Sequence, residues 1–470
     1  MRFKGFYILL LLGGCVRIPE SEQAVSLNSV GLSTAVEEAR RSGAFEGGDW
    51  VQAKWWERFD DPVLARLIDE GLRCSPNLML AQERLKAAAQ VALQKKAALY
   101  PELDLDILDL WVHLSQEGFF RAFAPPVPAV VNDLFIGLTF SYEFDFWGKN
   151  RDLFNAALGQ VAAACAETLQ AELVMTTSIA YTYFELQYLL RKKEILEERK
   201  ANRETVTAIR EQRQKGALDT VLDPLSAQAD TLDLESELKD LEIDISAHSH
   251  KLKALVGLGQ DADLGISRAD PKPLRIHLPE TLGLDLIGRR PDLIAQRRRL
   301  EAAAKEVDAA KTDFYPNINL KAFLGTESVI WSKLFSAKSW DIGALPALHL
   351  PIFTAGRIRA QLYDKNAEFN QAVYTYNQLI LQAAREIADS LTKIGKLMEE
   401  IALRKKSLEV ALSQEAISMR LLSGALAMRT DTLQAADNVL QKQLVLASIE
   451  YGTQLAEIEL IRQLGGGFHE

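Results

Sequence analysis

Cysteine, histidine, methionine and positive charge are all in short supply in this 470-residue chain, and each shortage removes a class of function. The three cysteines, Cys15, Cys74 and Cys165, are too few for a disulfide framework. The six histidines take up no zinc-binding spacing, and the six methionines, one of them the initiator, form no cluster for a soft metal such as copper. Lys and Arg number 54 against 64 Asp and Glu, a net charge of −10, and no basic stripe follows a phosphate backbone, so nucleic acid is not expected as a partner. Nucleophile–base constellations and phosphate-cradling glycine loops are missing too, so the chain is read as a non-enzyme that needs no cofactor. Beyond the first fifteen residues no apolar stretch reaches the roughly 18 residues of a membrane-spanning helix. A membrane barrel, whose strands are short and half polar, is untouched by that argument.

What is present begins at the N-terminus. Arg2 and Lys4 precede an apolar stretch, Ile8 to Leu12, and then Gly13-Gly14-Cys15, the three-part plan of a secretory signal. Leu12-Gly13-Gly14-Cys15 resembles the bacterial lipobox, which implies cleavage after residue 14 and a covalent lipid on Cys15. An ordinary signal with an incidental cysteine is the competing reading, disfavoured by the small residues at both positions before Cys15. Val16 rather than Asp follows, which by the same resemblance implies sorting to the outer membrane. The diacyl and N-acyl chains that the resemblance implies would supply more than the two-signal minimum for stable anchoring.

The rest of the chain is written twice. At an offset of 215, Pro76 to Pro101 overlays Pro291 to Pro316 with ten of twenty-six positions identical, among them Ala87-Ala88-Ala89 on Ala302-Ala303-Ala304 and Tyr100-Pro101 on Tyr315-Pro316. At an offset of 208, Gly216-Ala217-Leu218 overlays Gly424-Ala425-Leu426, Asp223 overlays Asp431, and Gly257 overlays Gly465. The expected segments are a signal peptide (1–14), a lipid-anchored extension (15–61), a first repeat (62–257), a linker (258–288) rich in Gly, Asp and Pro, a second repeat (289–466) and a short tail (467–470).

Each repeat has the same predicted order. An Ala/Leu/Lys/Arg-rich helix (about 62–99 and 289–314) ends at a Tyr-Pro, because proline cannot continue the ladder. Two strands follow. Leu134, Ile136, Leu138, Phe140, Tyr142, Phe144 and Phe146 alternate with Phe135, Gly137, Thr139, Ser141, Glu143, Asp145 and Trp147, a period of two that predicts one apolar face and one mostly polar face. Leu103, Leu105 and Ile107 alternate in the same way until the phase slips at Leu108, which predicts a bulge. The fourth strand, Ile342 to Phe353, carries Pro346 and Pro351, each without a ladder donor. Then come very long helices, Asn150 to Lys215 and Arg357 to Ser423, on the order of 100 Å each. Val161, Cys165, Leu169 and Leu173 mark a coiled-coil-like seam on the first, and Leu379, Ala383, Ile387, Leu391, Ile394, Met398 and Ile401 mark one on the second. Gly216 and Gly424 end these helices and are expected to supply positive φ for a reversal into return helices (about 218–256 and 426–464).

Four strands cannot close a transmembrane barrel, because the smallest need about eight and open edges are not tolerated in lipid. Three copies would give twelve strands. Here the chain resembles the TolC-type outer-membrane factors, in the NodT-like lipoprotein branch that serves resistance–nodulation–division pumps. The residues that carry the resemblance are Leu12-Gly13-Gly14-Cys15; Trp55-Trp56-Glu57-Arg58-Phe59 with Asp61-Pro62; Phe144-Asp145-Phe146-Trp147-Gly148-Lys149; Arg289-Arg290-Pro291-Asp292-Leu293; Phe314-Tyr315-Pro316; and Pro351-Ile352-Phe353 with Gly356-Arg357. The resemblance implies a mixed, mostly α fold: a homotrimer whose twelve-stranded β-barrel in the outer membrane continues into a periplasmic α-helical barrel. It also implies a role as the channel of a tripartite efflux or export system, with a periplasmic adaptor (membrane fusion) protein and an inner-membrane transporter as partners. The tips at Gly216 and Gly424 would dock the adaptor.

The resemblance also points to a periplasmic gate at Asp431. The family archetype carries Asp-x-Leu-Asp-Ala after the tip glycine, and Asp431-Thr432-Leu433-Gln434-Ala435 stands there, with the second aspartate replaced by Gln434 and the gate-tethering arginine by Ala427. Arg429 lies two residues from that position. A solvated aspartate is the plainer reading of Asp431. His248 and His250, two apart on a helix, point to different faces and are not read as joint metal ligands. Glu399-Glu400 reads as a solvated face, and Trp111, Trp147, Trp331 and Trp340 fall near strand ends as an aromatic girdle would. The competing function is a lipid-anchored coiled-coil tether of the envelope, which would have no use for the alternating strand at Leu134 to Phe146.

Overall fold

The computed structural model describes residues 18–20, 22–27, 31–41, 43, 45–115, 117–118, 128–269, 277–278 and 288–468. The signal segment and Cys15 lie outside the described residues, as do much of the linker and the last two residues of the tail. In chain order the elements are α1 (Ser33–Arg41), β1 (Glu46–Gly47), a 3-10 turn at Trp55–Phe59, α2 (Pro62–Cys74), α3 (Pro76–Ala97), β2 (Glu102–His113), β3 (Val130–Phe144), α4 (Lys149–Lys215), α5 (Leu222–Val256), β4 (His277–Leu278), α6 (Pro291–Thr312), β5 (Asn317–Ser328), β6 (Trp340–His349), α7 (Arg357–Ser423) and α8 (Arg429–Gln463). The duplication shows in the lengths: α3 and α6 have 22 residues each, α4 and α7 have 67, and α5 and α8 have 35.

The single helix expected over 62–99 is two. Pro76 has no N–H to give and biases Ser75 to extended geometry (φ −68°, ψ 120°), so α2 stops at Cys74 and α3 starts afresh. Asp61 begins α2 by accepting the Val63 and Leu64 amides at 2.9 and 3.1 Å.

The chain divides into two compact units. One comprises residues up to Ser26 with Leu85–Ala164 and Gln296–Thr375, and it holds an antiparallel sheet in the order β2-β3-β5-β6. β2 pairs with β3 in one unbroken register from Glu102↔Ser141 to His113↔Val130, so the bulge expected at Leu108 does not exist. Leu108 and Leu110 instead sit on the otherwise polar face. β6 begins two residues before the predicted fourth strand and ends at His349, short of Pro351. Pro346 is accommodated because β6 is an edge strand, where a missing donor can face away from the ladder. In the same unit Asn370 of α7 reads the extended N-terminal segment twice, accepting the Ala24 amide at 2.8 Å and donating to the Glu22 carbonyl at 3.0 Å.

The other unit comprises Leu27–Arg84, Cys165–Ala295 and the chain from Tyr376 onward. It has a buried apolar core that includes Trp55, Leu64, Leu67, Ile68, Ile179, Leu252 and Ile458. The predicted seam on α7 is buried at Ala383, Ile387, Leu391 and Ile394. On α4 the expectation fails at Cys165, which is exposed. Both return helices stop at a glycine in the left-handed region, Gly257 (φ 82°) and, one residue past the cap of α8, Gly465 (φ 86°). A methyl group at Gly257 would strike the Cys74 carbonyl, and one at Gly465 would strike the Arg289 carbonyl. Cys74 and Arg289 are themselves 215 residues apart, so each copy closes on the same backbone contact. β1 and β4 form a small parallel pair, Glu46↔His277 and Gly47↔Leu278, that joins the N-terminal extension to the linker.

Candidate functional site

The strand registers sort the sheet into two faces. Leu103, Leu105 and Ile107 pair across to Phe140, Leu138 and Ile136, which pair on to Ala322, Leu324 and Thr326, and these to Ala344, Ile342 and Trp340. Tyr142, Phe144, Ile318, Leu320 and Leu348 share that face. Much of it is exposed: Leu103, Leu105, Ile107, Leu138, Leu324, Ile342 and Leu348 all present large apolar surface. An exposed apolar face of this extent is an interaction surface rather than ordinary protein exterior.

Two of the seven side chains expected there depart from expectation. Leu134 is on the face but buried, so its neighbours within the chain cover it. Phe146 lies past the end of β3, in the bend before α4, where its amide bonds to the Phe144 carbonyl.

The opposite face carries Glu102, Asp104, Asp106, Asp133, Thr139, Ser141, Glu143, Lys321, Glu327 and Asp341. Thr139 donates to Asp106 at 2.5 Å and Asn317 to Glu143 at 2.8 Å across neighbouring strands. The aromatic exceptions have a structural reason. Phe135 lies against Gly137 and Gly325, and Phe323 lies against Gly343, each ring covering backbone that would otherwise be bare. Trp111, Trp331 and Trp340 are exposed at one end of the sheet. Trp147, at the other end, stacks on Tyr315 with ring centroids 4.7 Å apart and donates to the Pro316 carbonyl at 2.8 Å.

At the hairpin tips the left-handed residue is not the glycine. Ala217 (φ 58°) and Ala425 (φ 54°) hold positive φ, while Gly216 and Gly424 do not. Each tip is a Schellman motif: Leu218 N–H reaches Arg213 O and Ala217 N–H reaches Gln214 O, and in the second copy Leu426 reaches Leu421 and Ala425 reaches Leu422. Leu218, Val221, Leu222, Leu426 and Met428 are exposed at these tips.

The two tips handle their carboxylates differently. In the first, Arg213 grips Asp219 at 2.9 Å and Arg210 meets Asp223 at 3.2 Å. The hydroxyl and N–H of Thr220 both donate to Asp223 and hold its carboxyl below the usual carboxylate range. In the second, Asp431 is exposed and accepts the Met428 amide at 3.1 Å, which makes it part of the start of α8.

The remaining sequence candidates are accounted for locally. His248 bonds to the Asp244 carbonyl at 2.8 Å and meets Glu185 of α4 at 3.1 Å. Glu399 and Glu400 pair with Lys396 and Arg404 on their own helix. Among the described residues no group of His, Cys, Asp and Glu could hold a metal ion. A feature invisible to composition and period is the buried triad on α4 and α8, where Asp437, 2% exposed, takes Arg199 and Arg203 at 2.9 Å each. The signal that could have revealed it is the repeat itself, since the residue matching Asp437 in the first copy is Ala229.

A four-stranded sheet with one apolar and one acidic face, built into a duplicated set of very long helical hairpins, defines an outer-membrane channel protein. The chain belongs to the outer membrane efflux protein family, whose profile matches residues 67–258 and 283–466. It is 29% identical over 426 residues to the multidrug resistance outer membrane protein MdtP of Escherichia coli O6:H1, covering 89% of this chain and 87% of that one. Among solved structures it resembles the outer membrane protein VceC of Vibrio cholerae, at 33% identity and a TM-score of 0.79, over 89% of this chain and all of that one. The Campylobacter jejuni CmeC outer membrane channel shares the fold, with a TM-score of 0.83 at 21% identity over 96% of this chain and 94% of that one.

Proposed function

We propose that three copies of this outer-membrane efflux protein close into one conduit, the outer-membrane part of a tripartite system for multidrug efflux or related export. The observation that carries this reading is the sheet: one face fit for lipid, one fit for water, and two open edges, β2 and β6. An open edge is untenable in hydrocarbon, and pairing β6 of one copy with β2 of the next removes every edge at twelve strands. The exposed apolar residues at the two hairpin tips suit docking of a periplasmic adaptor, which would join the conduit to an inner-membrane transporter. Cys15 would carry the lipid anchor.

Threefold symmetry would bring three copies of Asp431 around one axis, and a narrow entrance focuses their field. Purified protein should form trimers that conduct in a planar bilayer, prefer cations and be blocked by multivalent cations from the periplasmic side. Asp431→Asn should relieve the block without loss of trimers. Recordings in which it changes neither selectivity nor block would return Asp431 to helix capping alone. Labelled palmitate should enter the mature protein and be absent from Cys15→Ser; an unmodified mature N-terminus would remove the anchor from this reading.

A further inference from the structure

Three asparagines on α7 share one stripe: Asn366, Asn370 and Asn377 fall within about 40° of one another around the helix. Two of them hold the backbone of the chain's own N-terminal segment. Asn370 accepts the Ala24 N–H at 2.8 Å and donates to the Glu22 carbonyl at 3.0 Å, and Asn377 accepts the Leu27 N–H at 2.7 Å. These side-chain amides stand where a neighbouring strand would. Three residues of extended chain and seven of helix both cover about 10 Å, so the segment must be extended to keep both bonds. The third, Asn366, is 5% exposed; its Nδ2 donates to the Leu362 carbonyl at 2.9 Å, while its buried Oδ1 has no partner among the described residues.

We propose that these asparagines form a track for extended polypeptide backbone, that residues 22–27 of the same chain are its occupant, and that the track fixes how much leash is left to a lipid on Cys15. The leash rests on the lipid anchor proposed above; the track does not. Every bond to the asparagines comes from a main-chain group, and Val25, between the two bonded amides, is 82% exposed, so backbone is read rather than side chains. The same device recurs in the other unit, where Gln187 accepts the Ala269 N–H at 2.8 Å and donates to the Ser267 carbonyl at 2.9 Å. Four residues of helix and two of extended chain both cover about 6 Å, which puts the Glu22 N–H in step with the Oδ1 of Asn366. The first repeat has nothing of the kind: at the offset of 208 the matching positions are Leu158, Ala162 and Leu169. The track thus belongs to one helix of the pair, as suits a chain with one N-terminus.

The leash has a definite reach. The segment runs in the direction of α7, so its upstream end leads back towards Arg357, where α7 follows β6. From Arg357 to Asn370 the helix rises thirteen residues, about 20 Å. Cys15 stands seven residues before Glu22, a reach of at most about 25 Å at full extension. A lipid on Cys15 can therefore just regain the level at which the sheet ends, with little more than one residue to spare. Anchor and sheet are then two fixed points set by one helix.

Palmitate labelling of the wild type comes first, because an unlabelled protein refutes the anchor and its leash, whereas amide hydrogen exchange on the full-length protein tests the track by itself. The amides of Glu22, Ala24 and Leu27 should be protected. Asn366→Leu should speed exchange at Glu22, Asn370→Leu at Ala24 and Asn377→Leu at Leu27, each at least about tenfold, with helix content unchanged by circular dichroism. Ala24→Pro removes a donated N–H without touching α7 and should release Leu27 as well, while Val25→Asp should change nothing. Unchanged rates in the asparagine variants, or release by Val25→Asp, overturn the track. Deleting Ile18 to Glu20 cuts the reach to about 14 Å. In the lipidated protein Ala24 should then exchange freely, and in the same deletion carrying Cys15→Ser behind an ordinary signal it should stay protected; any other pattern overturns the leash.

Discussion

The sheet unit and the helical unit use the same kind of amphipathic pattern with opposite outcomes. In the helical unit Leu64, Leu67, Ile68, Leu252 and Ile458 are sealed from solvent, and most charged side chains lie outside, with Asp437 a buried exception. In the sheet unit Leu103, Leu105, Ile107, Ile342 and Leu348 are outside, while Asp106, Thr139 and Glu143 bond to their neighbours on the other face. Periodicity decides which residues share a face. The solvent for which a face is built decides whether that face is buried, and only the fold as a whole reveals it.

Substitutions at matched depth should break or sharpen this contrast. The largest effect is expected in the helical unit, where Asp437→Ala takes the partner carboxylate from the mostly covered Arg199 and leaves Arg203 only its outer contact with Asp230, and should cost about 3–5 kcal/mol, read as a fall in the thermal midpoint of the helical signal. A midpoint within a degree of wild type would mean that the triad contributes nothing. In the sheet, Leu138 sits among Leu105 and Leu324, and Leu138→Arg should cost about 2–4 kcal/mol at a bilayer midplane and impair assembly into membranes. Thr139→Arg, one residue along and beside Asp106, should assemble normally and change conductance; equal tolerance at both positions would remove the lipid face. The smallest effect is a gain. Ala217 and Ala425 each bear the strain of a left-handed alanine, about 1–2 kcal/mol, of which glycine's extra chain entropy would take back about half. Ala217→Gly should therefore raise the urea midpoint by somewhat less than about 1 kcal/mol of stability, and a loss would mean that the tip reversal is held by contacts rather than by φ.

Much of this architecture was legible in the sequence because it is periodic or repeated. Strands of strict alternation, helices of 67 residues and a copied Tyr-Pro all leave long signals. The failures are local. The apolar pattern runs through Pro76 and hides the break at Ser75. The supposed bulge at Leu108 was a change of side-chain chemistry on an unbroken ladder, with leucines placed on the acidic face of an edge strand. Two-residue strands such as β1 and β4 have no period to read. The positive φ at each tip belongs to the alanine after the glycine, since a Schellman turn constrains the residue after the cap and the sequence alone does not say which residue is the cap. At the candidate site, the faces of the sheet followed from alternation, but the Arg199–Asp437–Arg203 triad joins residues more than 230 positions apart and needed the packed helices to appear.

The equal lengths of the paired helices limit how this chain can change over generations. A seven-residue insertion in α4 and α5 alone would carry one tip roughly 10 Å beyond the other, at 1.5 Å per residue, and under the adaptor docking proposed above the two tips could no longer meet one partner surface. Insertions in the helical hairpins must therefore be inherited in matching sets, both helices of both hairpins at once. The strand connections carry no such obligation. Sixteen residues separate β2 from β3 and eleven separate β5 from β6, and the drop in repeat offset from 215 to 208 falls within these strand-bearing segments.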